Sequence, residues 1–141
     1  MEKLDNEKIQ LITEFEKLTR THVKNIYEHQ NKLIVLVDQG EAKTAVGQGG
    51  KTLVMLEQKF GRKFKIIEYN ADLHTFIQNV MLPLKASKIE ASGEGEVTVY
   101  GPDEKTRGLM IGAKAQNLRF TEQVVQKYFP DLKEIKVVAD N

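Results

Sequence analysis

Residues 45–52 read AVGQGGKT, and this short stretch decides the fold because it can be parsed in two ways. It nearly matches the phosphate-binding pattern G-x-x-x-x-G-K-[ST] of nucleotide hydrolases, with Ala45 in place of the first glycine. It also contains G-x-x-G at residues 47–50, a glycine loop that can close on a nucleic-acid backbone. The elements on either side of the loop separate these two interpretations.

The sequence around the loop argues against a nucleotide hydrolase. A phosphate-binding loop follows directly on a buried strand, whereas the last strand-like run before this loop, KLIVLV, ends at Val37. Residues 41–46 (EAKTAV) lie between the two and are typical of a short helix. Leu53 and Leu56 then begin a helical apolar stripe on the other side. A loop between two helices favours G-x-x-G.

The plan around the loop occurs a second time further along the chain. Superposing the two loops requires a shift of 65 residues (112 − 47), which places Gly112 on Gly47 and GAKA on GQGG. The expected helices are 5–19, 41–46 and 103–111, with helical stripes through 53–60, 73–80 and 118–128, and the expected strands are 23–29, 32–37, 63–69, 85–92, 96–100 and 134–139. Such self-similarity indicates two tandem α/β units, with the boundary near residues 70–72.

Two copies of the loop in the same place favour a binding role over a purely structural one. A single G-x-x-G more often does no more than allow a tight turn between two helices. Without Cβ atoms, however, the backbone can approach a sugar-phosphate chain closely, and free N–H groups at the start of the next helix face the anion. The second copy also lacks the lysine–serine/threonine pair of a phosphate loop, which counts further against nucleotide hydrolysis.

Composition sets the class of protein and limits its electrostatics. The 141 residues carry 21 basic and 20 acidic side chains, for a net charge of +1, so a nucleic-acid role must rest on a local patch and on backbone hydrogen bonds. Cysteine is absent, which excludes disulfides and cysteine-ligated zinc and fits an intracellular protein. The longest apolar runs, such as 33–37, are far shorter than a membrane helix, and the N-terminus has no signal-peptide pattern. We expect a cytoplasmic monomer without membrane contact.

The sequence carries no pattern typical of a catalytic or metal-binding site. His22, His29 and His74 lack the i, i+4 spacing of a helical metal site, so they are expected to be surface residues. The two serines, Ser87 and Ser92, lack the G-x-S-x-G context of a nucleophile elbow. We therefore expect no enzymatic activity, no metal and no cofactor.

Two segments resemble a known family. Residues 46–85 (VGQGGKTLVMLEQKFGRKFKIIEYNADLHTFIQNVMLPLK) closely resemble the first KH domain of archaeal NusA-type transcription factors, and residues 99–129 (VYGPDEKTRGLMIGAKAQNLRFTEQVVQKYF) resemble the second. The likeness extends over about residues 5–139. It implies an α+β fold of two tandem type II KH domains, residues 1–70 and 71–141, each α-β-β-α-α-β with helices on one face of a three-stranded sheet. It also implies single-stranded RNA as the ligand and a role in transcription elongation, termination and antitermination.

The loops and the resemblance together single out the residues expected to bind RNA. They are Val46, Gly47, Gln48, Gly49, Gly50 and Lys51 in the first unit and Arg107, Ile111, Gly112, Ala113, Lys114, Ala115, Gln116, Asn117 and Arg119 in the second. Val54 is expected to add apolar surface beneath the bases. A basic rim is expected from Lys43, Arg62, Lys63 and Lys65.

The two loops differ at their fourth position, which is Gly50 in the first and Ala115 in the second. Taken as the start of the next helix, this position should favour alanine over glycine by roughly 1 kcal/mol, while the added methyl group should hinder the approach of RNA. We therefore expect the first loop to dominate binding. Ala115→Gly should strengthen binding at a small cost in stability, and Gly50→Ala should weaken binding.

Two alternatives stand beside the RNA-binding hypothesis. One is an adaptor that docks on RNA polymerase or on the ribosome and touches RNA only weakly, which the near-neutral net charge leaves open. RNA polymerase is thus a second candidate partner. The other alternative, a nucleotide hydrolase, is the least favoured.

Overall fold

The computed structural model describes residues 6–140. The chain divides into two compact units, with the boundary between Asn70 and Ala71. Each unit contains, in order, a helix, two strands, two helices and a last strand. The α+β architecture predicted from the sequence is confirmed. None of the helices within residues 6–140 combines the length and the apolarity needed to cross a lipid bilayer.

The helices and strands of the two units correspond one to one. In the first unit they are α1 (Asn6–Thr19), β1 (Val23–His29), β2 (Lys32–Val37), α2 (Ala42–Val46), α3 (Lys51–Phe60) and β3 (Lys63–Glu68). In the second unit they are α4 (Leu73–Met81), β4 (Lys88–Ala91), β5 (Glu96–Gly101), α5 (Glu104–Ile111), α6 (Gln116–Tyr128) and β6 (Glu134–Ala139). A short 3-10 turn separates the second and third helices of each unit, at Gln48–Gly50 and Ala113–Ala115.

Each unit folds its three strands into one mixed sheet. The strand orders are β1-β2-β3 and β4-β5-β6, and in both sheets the first pair is antiparallel and the second pair is parallel. Gln30 and Asn31 close the first hairpin with φ angles of 52° and 62°, the two left-handed residues that a type I′ turn requires. Parallel pairing requires a crossover connection, here two helices with the glycine loop between them. This arrangement fits a KH-like fold.

The core of the first unit holds both helices that flank its loop. Val35 and Val37 of β2 belong to one cluster of buried side chains. The cluster takes one residue from each helix of the unit: Phe15, Ala45 and Leu56. These three side chains have no exposed surface, and burying a large apolar side chain stabilises the fold by about 1.5–3 kcal/mol. The loop between α2 and α3 therefore projects from a rigid base.

The core of the second unit is braced by aromatic side chains. Val97 of β5 and Val124 of α6 are buried. Phe76 of α4 has no exposed surface, and its ring centroid lies 6.0 Å from the ring centroids of both Tyr128 and Phe129. Such edge and tilted contacts add to the stabilisation from burial, so the end of α6 is held against α4.

A glutamate fixes the helix after the loop to the last strand in both units. The Oε2 atom of Glu122 accepts a hydrogen bond from Ile135 N–H at 2.8 Å, and its Oε1 atom lies 2.8 Å from Nη1 of Arg119. In the first unit, Oε2 of Glu57 accepts from Phe64 N–H at 3.0 Å. A buried carboxylate needs such partners to offset its lost hydration. The contact sets the position of α3 and α6, and hence of the loops that precede them.

The strand predicted at residues 85–92 is shorter than expected, because β4 spans only Lys88–Ala91. The side chain of Gln78 in α4 explains the difference. Its Nε2 donates to the carbonyl of Leu84 at 2.8 Å, and its Oε1 accepts from Ala86 N–H at 2.8 Å. Leu84 and Ala86 therefore bind a helix side chain instead of the neighbouring strand, and backbone pairing with β5 begins at Ser87, whose N–H donates to Tyr100 O at 2.8 Å.

His22 and Glu41 tie the start of β1 to the start of α2. The backbone N–H of His22 donates to Oε2 of Glu41 at 2.7 Å, and Nδ1 of His22 lies 2.6 Å from Oε1. Hydrogen bonding to Glu41 raises the pKa of His22 above its usual 6.5, and the same contact lowers the pKa of Glu41 below 4.5.

The described residues contain no group of three or more side chains that could hold a metal ion.

The stability contributed by the pair of His22 and Glu41 should depend on pH. Because folding raises the pKa of His22, its contribution is fully present below a pH of about 6.5 and is lost as the pH rises through the folded value. Because folding lowers the pKa of Glu41, its contribution is lost as the pH falls through the folded value on the acid side. An NMR titration of the His22 ring should show the raised pKa, and Glu41→Gln should return it towards the ordinary value. An identical His22 pKa in both proteins would mean that the contact does not form in solution.

Candidate nucleic-acid interface

The first glycine of each loop adopts a backbone conformation that is essentially restricted to glycine. Gly47 has φ 82° and ψ 164°, and Gly112 has φ 75° and ψ 170°. A Cβ atom on Gly47 would lie 2.8 Å from the backbone nitrogen of Thr52. One on Gly112 would lie 2.7 Å from Cγ of Asn117. Both positions therefore require glycine, and the helix after the loop packs directly against them.

The third and fourth residues of each loop adopt the left-handed backbone conformation, with positive φ angles. The φ angles are 63° and 77° for Gly49 and Gly50, and 54° and 59° for Lys114 and Ala115. The second loop thus keeps the backbone of the first although it carries Cβ atoms at both positions, which costs roughly 1–2 kcal/mol per residue. Strain of this kind persists only where the surrounding structure imposes it, and it is concentrated at functional sites.

The expectation that the fourth position favours alanine for stability is wrong. Gly50 and Ala115 are the N-cap residues of α3 and α6 and are left-handed, so helix propensity does not apply to them. Glycine is the better residue in this conformation. Glycine, and not alanine, should therefore give the higher free energy of unfolding at the fourth position. A Cβ at residue 50 would meet no atom within 4 Å. The expected hindrance of RNA by a methyl group there stays a prediction.

Ala115→Gly is expected to raise the free energy of unfolding by about 1 kcal/mol, because glycine relieves the left-handed strain. Gly50→Ala is expected to lower it by a similar amount for the same reason. Urea unfolding of both variants measures the two signs. If both variants unfold at the urea concentration of the parent, the left-handed conformation is not the source of strain at this position.

Each loop presents two backbone donors to solvent. The N–H of the fourth residue is used inside the loop, since Gly50 N donates to Gly47 O and Ala115 N donates to Gly112 O, both at 3.1 Å. Within residues 6–140, the N–H groups of residues 48 and 49, and those of residues 113 and 114, have no protein acceptor. All four residues are exposed. Adjacent outward N–H groups at the start of a helix form a small site for an anion.

Apolar and basic side chains continue from the first loop along α3. Val46 before the loop is half-buried, and Val54 in the first turn of α3 is 51% exposed. Val54 also lines a groove of about 440 Å³ that extends to Arg62 and Lys63. Lys51 is exposed at the start of α3. The first loop therefore has an apolar neighbour and a cation, Lys51, at the start of the same helix, and Arg62 and Lys63 lie beyond the far end of that helix.

The second loop keeps an apolar neighbour but has fewer cations beside it. Ile111 before the loop is half-buried, as its counterpart in the first unit is. Leu109 in the preceding turn of α5 is 48% exposed. Lys114 and Gln116 are exposed. Since Lys114 belongs to the loop itself, its charge lies beside the outward N–H donors.

Three of the residues expected to bind RNA in the second unit make hydrogen bonds within the protein. Arg107 Nη1 donates to the last carbonyl of β5 at 3.1 Å. Arg119 pairs with Glu122, as described above. Asn117 Nδ2 donates to Leu109 O at 2.9 Å, which joins the end of α5 to the start of α6. These side chains hold the helices around the loop, and their contact with RNA stays a prediction.

The relatives of the chain share one name and are archaeal. A protein of Methanococcus vannielii named probable transcription termination protein NusA is 31% identical over 139 residues, which cover 97% of this chain and 80% of the relative. The chain belongs to the archaeal NusA family. The Methanocaldococcus jannaschii protein of the same name is 28% identical, with 99% of this chain and 76% of the relative covered. The resemblance seen in the sequence is thereby confirmed.

The NusA-type chain also resembles a solved structure. The crystal structure of APE1850 superposes with a TM-score of 0.70 and 27% sequence identity, covering 95% of this chain and 99% of that one. The same fold therefore extends over nearly the whole chain. No profile of a known protein family matches the sequence.

Lys65 was predicted to belong to the basic rim of the first loop, but it lies elsewhere. It follows Phe64, which points into the core cluster, and successive side chains of a strand point to opposite faces of the sheet. Lys65 therefore lies on the sheet face turned away from α2 and α3. Burial lowers the pKa of its ammonium group. The three remaining cations of the predicted rim are Lys43, Arg62 and Lys63.

One residue that shapes the first loop of this NusA-type chain, Thr52, is not among those predicted from the sequence. Thr52 packs against Gly47 as Asn117 packs against Gly112. A signal for it was present in the sequence, because the 65-residue shift that superposes the glycines also superposes these two short polar side chains. Both loops therefore consist of a glycine and the polar side chain five residues later, with the outward donors between them.

Proposed function

We propose that this NusA-type protein binds single-stranded RNA through two tandem type II KH domains, residues 1–70 and 71–141. The shared conformation of the two loops carries the proposal, since each has a glycine-restricted first position and two outward N–H donors. The element order supports it, because each loop lies between the second and third helices of an α-β-β-α-α-β unit. In KH domains this loop clamps the backbone of about four nucleotides.

Unpaired RNA suits these loops better than duplex RNA does. Outward N–H groups can donate hydrogen bonds to phosphate oxygens, and in the first loop Gly49 and Gly50 have no Cβ atom that would hinder the approach of RNA. Val54 and Leu109 are exposed apolar surfaces close to the two loops, and such surfaces accommodate unstacked bases. A double helix of RNA hides its base edges in a deep, narrow major groove. The ligand we propose is therefore a single strand that lays its backbone on the loop and its bases on the apolar side chains.

We further propose that RNA binding serves transcription termination and antitermination. The relatives described above are named as transcription termination proteins. A protein that acts by holding unpaired RNA can change which structures a transcript forms without catalysing a reaction. RNA polymerase is the second partner that this role requires.

An adaptor with weak RNA contact is the second candidate function. It is favoured by one observation, the use of Arg107 and Arg119 inside the protein. With a net charge of +1, few cations then remain to attract RNA over a distance. RNA affinity distinguishes the two candidates, because the adaptor would not bind a free oligonucleotide at micromolar concentrations.

We expect an unstructured RNA of about eight nucleotides, the length two loops can hold, to bind more tightly than a hairpin stem. Salt should weaken binding only shallowly, because each neutralised phosphate adds roughly 0.7 to the log–log slope and few cations flank the loops. Fluorescence anisotropy with both labelled RNAs measures the preference. ATP serves as the control for the nucleotide-hydrolase alternative and should not compete. Equal affinity for stem and single strand would contradict the proposal.

A further inference from the structure

A cavity in the second unit lies at the far end of α6 from its loop. Its volume is about 350 Å³. Its apolar wall consists of Leu73, Ala91, Val97, Tyr128, Phe129 and Leu132. Tyr128 and Phe129 are braced by the buried ring of Phe76, so this wall is rigid. Since α6 rises about 18 Å between Gln116 and Tyr128, the cavity is separate from the proposed RNA site.

The opening of this cavity is acidic. A wider depression of about 810 Å³ adjoins it and shares with it Gly93, Gly95, Glu96, Pro130 and Asp131. The charged residues that line the depression are Glu94, Glu96, Asp131, Glu134 and Lys133. Glu96 is paired with Lys136 at 3.5 Å, which leaves three carboxylates against one lysine. The rim is therefore negative and repels the phosphates of RNA.

Both segments that form the acidic rim are longer in the second unit than in the first. The connection from α6 to β6 spans residues 129–133, whereas that from α3 to β3 spans residues 61–62. The hairpin of the second unit turns over residues 92–95, whereas that of the first turns over residues 30–31. The two longer segments are bonded together, since Lys133 N–H donates to Gly95 O at 2.7 Å. The rim is thus a feature that the second unit adds to the shared fold.

We propose that the cavity and its rim bind a segment of a partner protein that carries one apolar side chain between lysines or arginines. The apolar side chain enters the cavity, and the flanking cations pair with the carboxylates of the rim. An apolar concavity with a few polar groups at its edge is the usual composition of a binding pocket. Charge complementarity selects a basic segment and disfavours nucleic acid.

The test is an NMR titration of the whole chain with a blocked heptapeptide that has one central phenylalanine between two pairs of arginines. We expect saturable shifts of the amides of Gly93, Gly95 and Leu132. Replacing the phenylalanine by glycine should weaken binding by about tenfold, the value of one buried aromatic side chain. Replacing the arginines by glutamates should abolish the shifts. Binding that ignores the phenylalanine, or that shifts amides elsewhere, would overturn the proposal.

Reversing charges on the protein gives a second, independent test of the proposal. Glu94→Lys/Asp131→Lys should abolish binding of the arginine peptide, and both residues are exposed, so folding should be retained. The matched control is Glu7→Lys/Glu104→Lys, which changes the net charge equally at exposed positions that do not line the cavity. The control should bind the peptide like the parent. Equal loss in both variants would show that the peptide responds to the charge of the whole protein and not to the rim, and would overturn the proposal.

Discussion

The double substitution Gln48→Asp/Gly49→Asp is expected to lower the affinity for single-stranded RNA by at least about tenfold, or ~1.4 kcal/mol. Gln48 and Gly49 carry the two outward N–H groups of the first loop, so phosphate oxygens should lie next to the new carboxylates. Two like charges about 4 Å apart near a protein surface repel by up to about 4 kcal/mol. The expected loss is therefore large even after partial screening by salt.

The control for this variant is Gln48→Asn/Gly49→Asn. Residue 49 is left-handed, and asparagine and aspartate are both among the side chains that tolerate this conformation best. The two variants therefore share the backbone strain and differ in charge alone. Anisotropy titrations should give a binding defect in the aspartate variant that far exceeds any defect in the asparagine variant, with similar melting temperatures. Parent-like affinity in the aspartate variant would show that the first loop does not hold the RNA.

Gly47→Ala and Gly112→Ala are expected to have the largest effects on stability, with losses of about 3 kcal/mol or more each. Each substitution combines a glycine-restricted backbone, which costs of order 1–3 kcal/mol, with overlap against Thr52 or Asn117. A loss of this size is a large part of the 5–15 kcal/mol that stabilises a typical domain. Circular dichroism during urea unfolding measures it.

Gly108→Ala is the matched control for these two substitutions. Gly108 lies inside α5, and a Cβ there would meet no atom within 4 Å. Alanine should therefore stabilise the second unit by about 0.5–1 kcal/mol through helix propensity alone. If Gly47→Ala is as stable as the parent, the first loop does not have the conformation described above. The two loops would then not share one backbone conformation, and RNA binding would lose that support.

The sequence was sufficient to predict the α+β architecture and the order of its elements, because its strands and loops carry local signals. The run KLIVLV is bounded by a left-handed turn at Gln30 and Asn31, and such turns are marked by their residue types. The two glycine loops were found because Gly47 and Gly112 have no substitute in their conformation. Periodicity and turn chemistry act over a few residues, and a single sequence contains them fully.

The parts that could not be predicted depend on how side chains pack between elements and not on local sequence patterns. The left-handed conformation of Ala115 contradicts its intrinsic preference and is imposed by the packing of α5 and α6. Gln78 of α4 shortens β4 by binding Leu84 and Ala86 in the connection between α4 and β4. Arg119 is expected to face RNA, but it pairs with Glu122, whose other carboxylate oxygen accepts from Ile135 N–H of β6. Each of these features depends on the packing of a helix against another part of the unit.

An amide NMR titration with an unstructured RNA oligonucleotide tests most directly whether the two loops hold RNA. We expect the amides of residues 48 and 49 and of residues 113 and 114 to shift saturably, because these four N–H groups are the proposed donors to the RNA backbone. The amides of Gly93 and Gly95, at the acidic end of the second unit, should not move. If RNA saturates the protein while the four loop amides keep their positions, the loops are not the clamp and the proposed function is wrong.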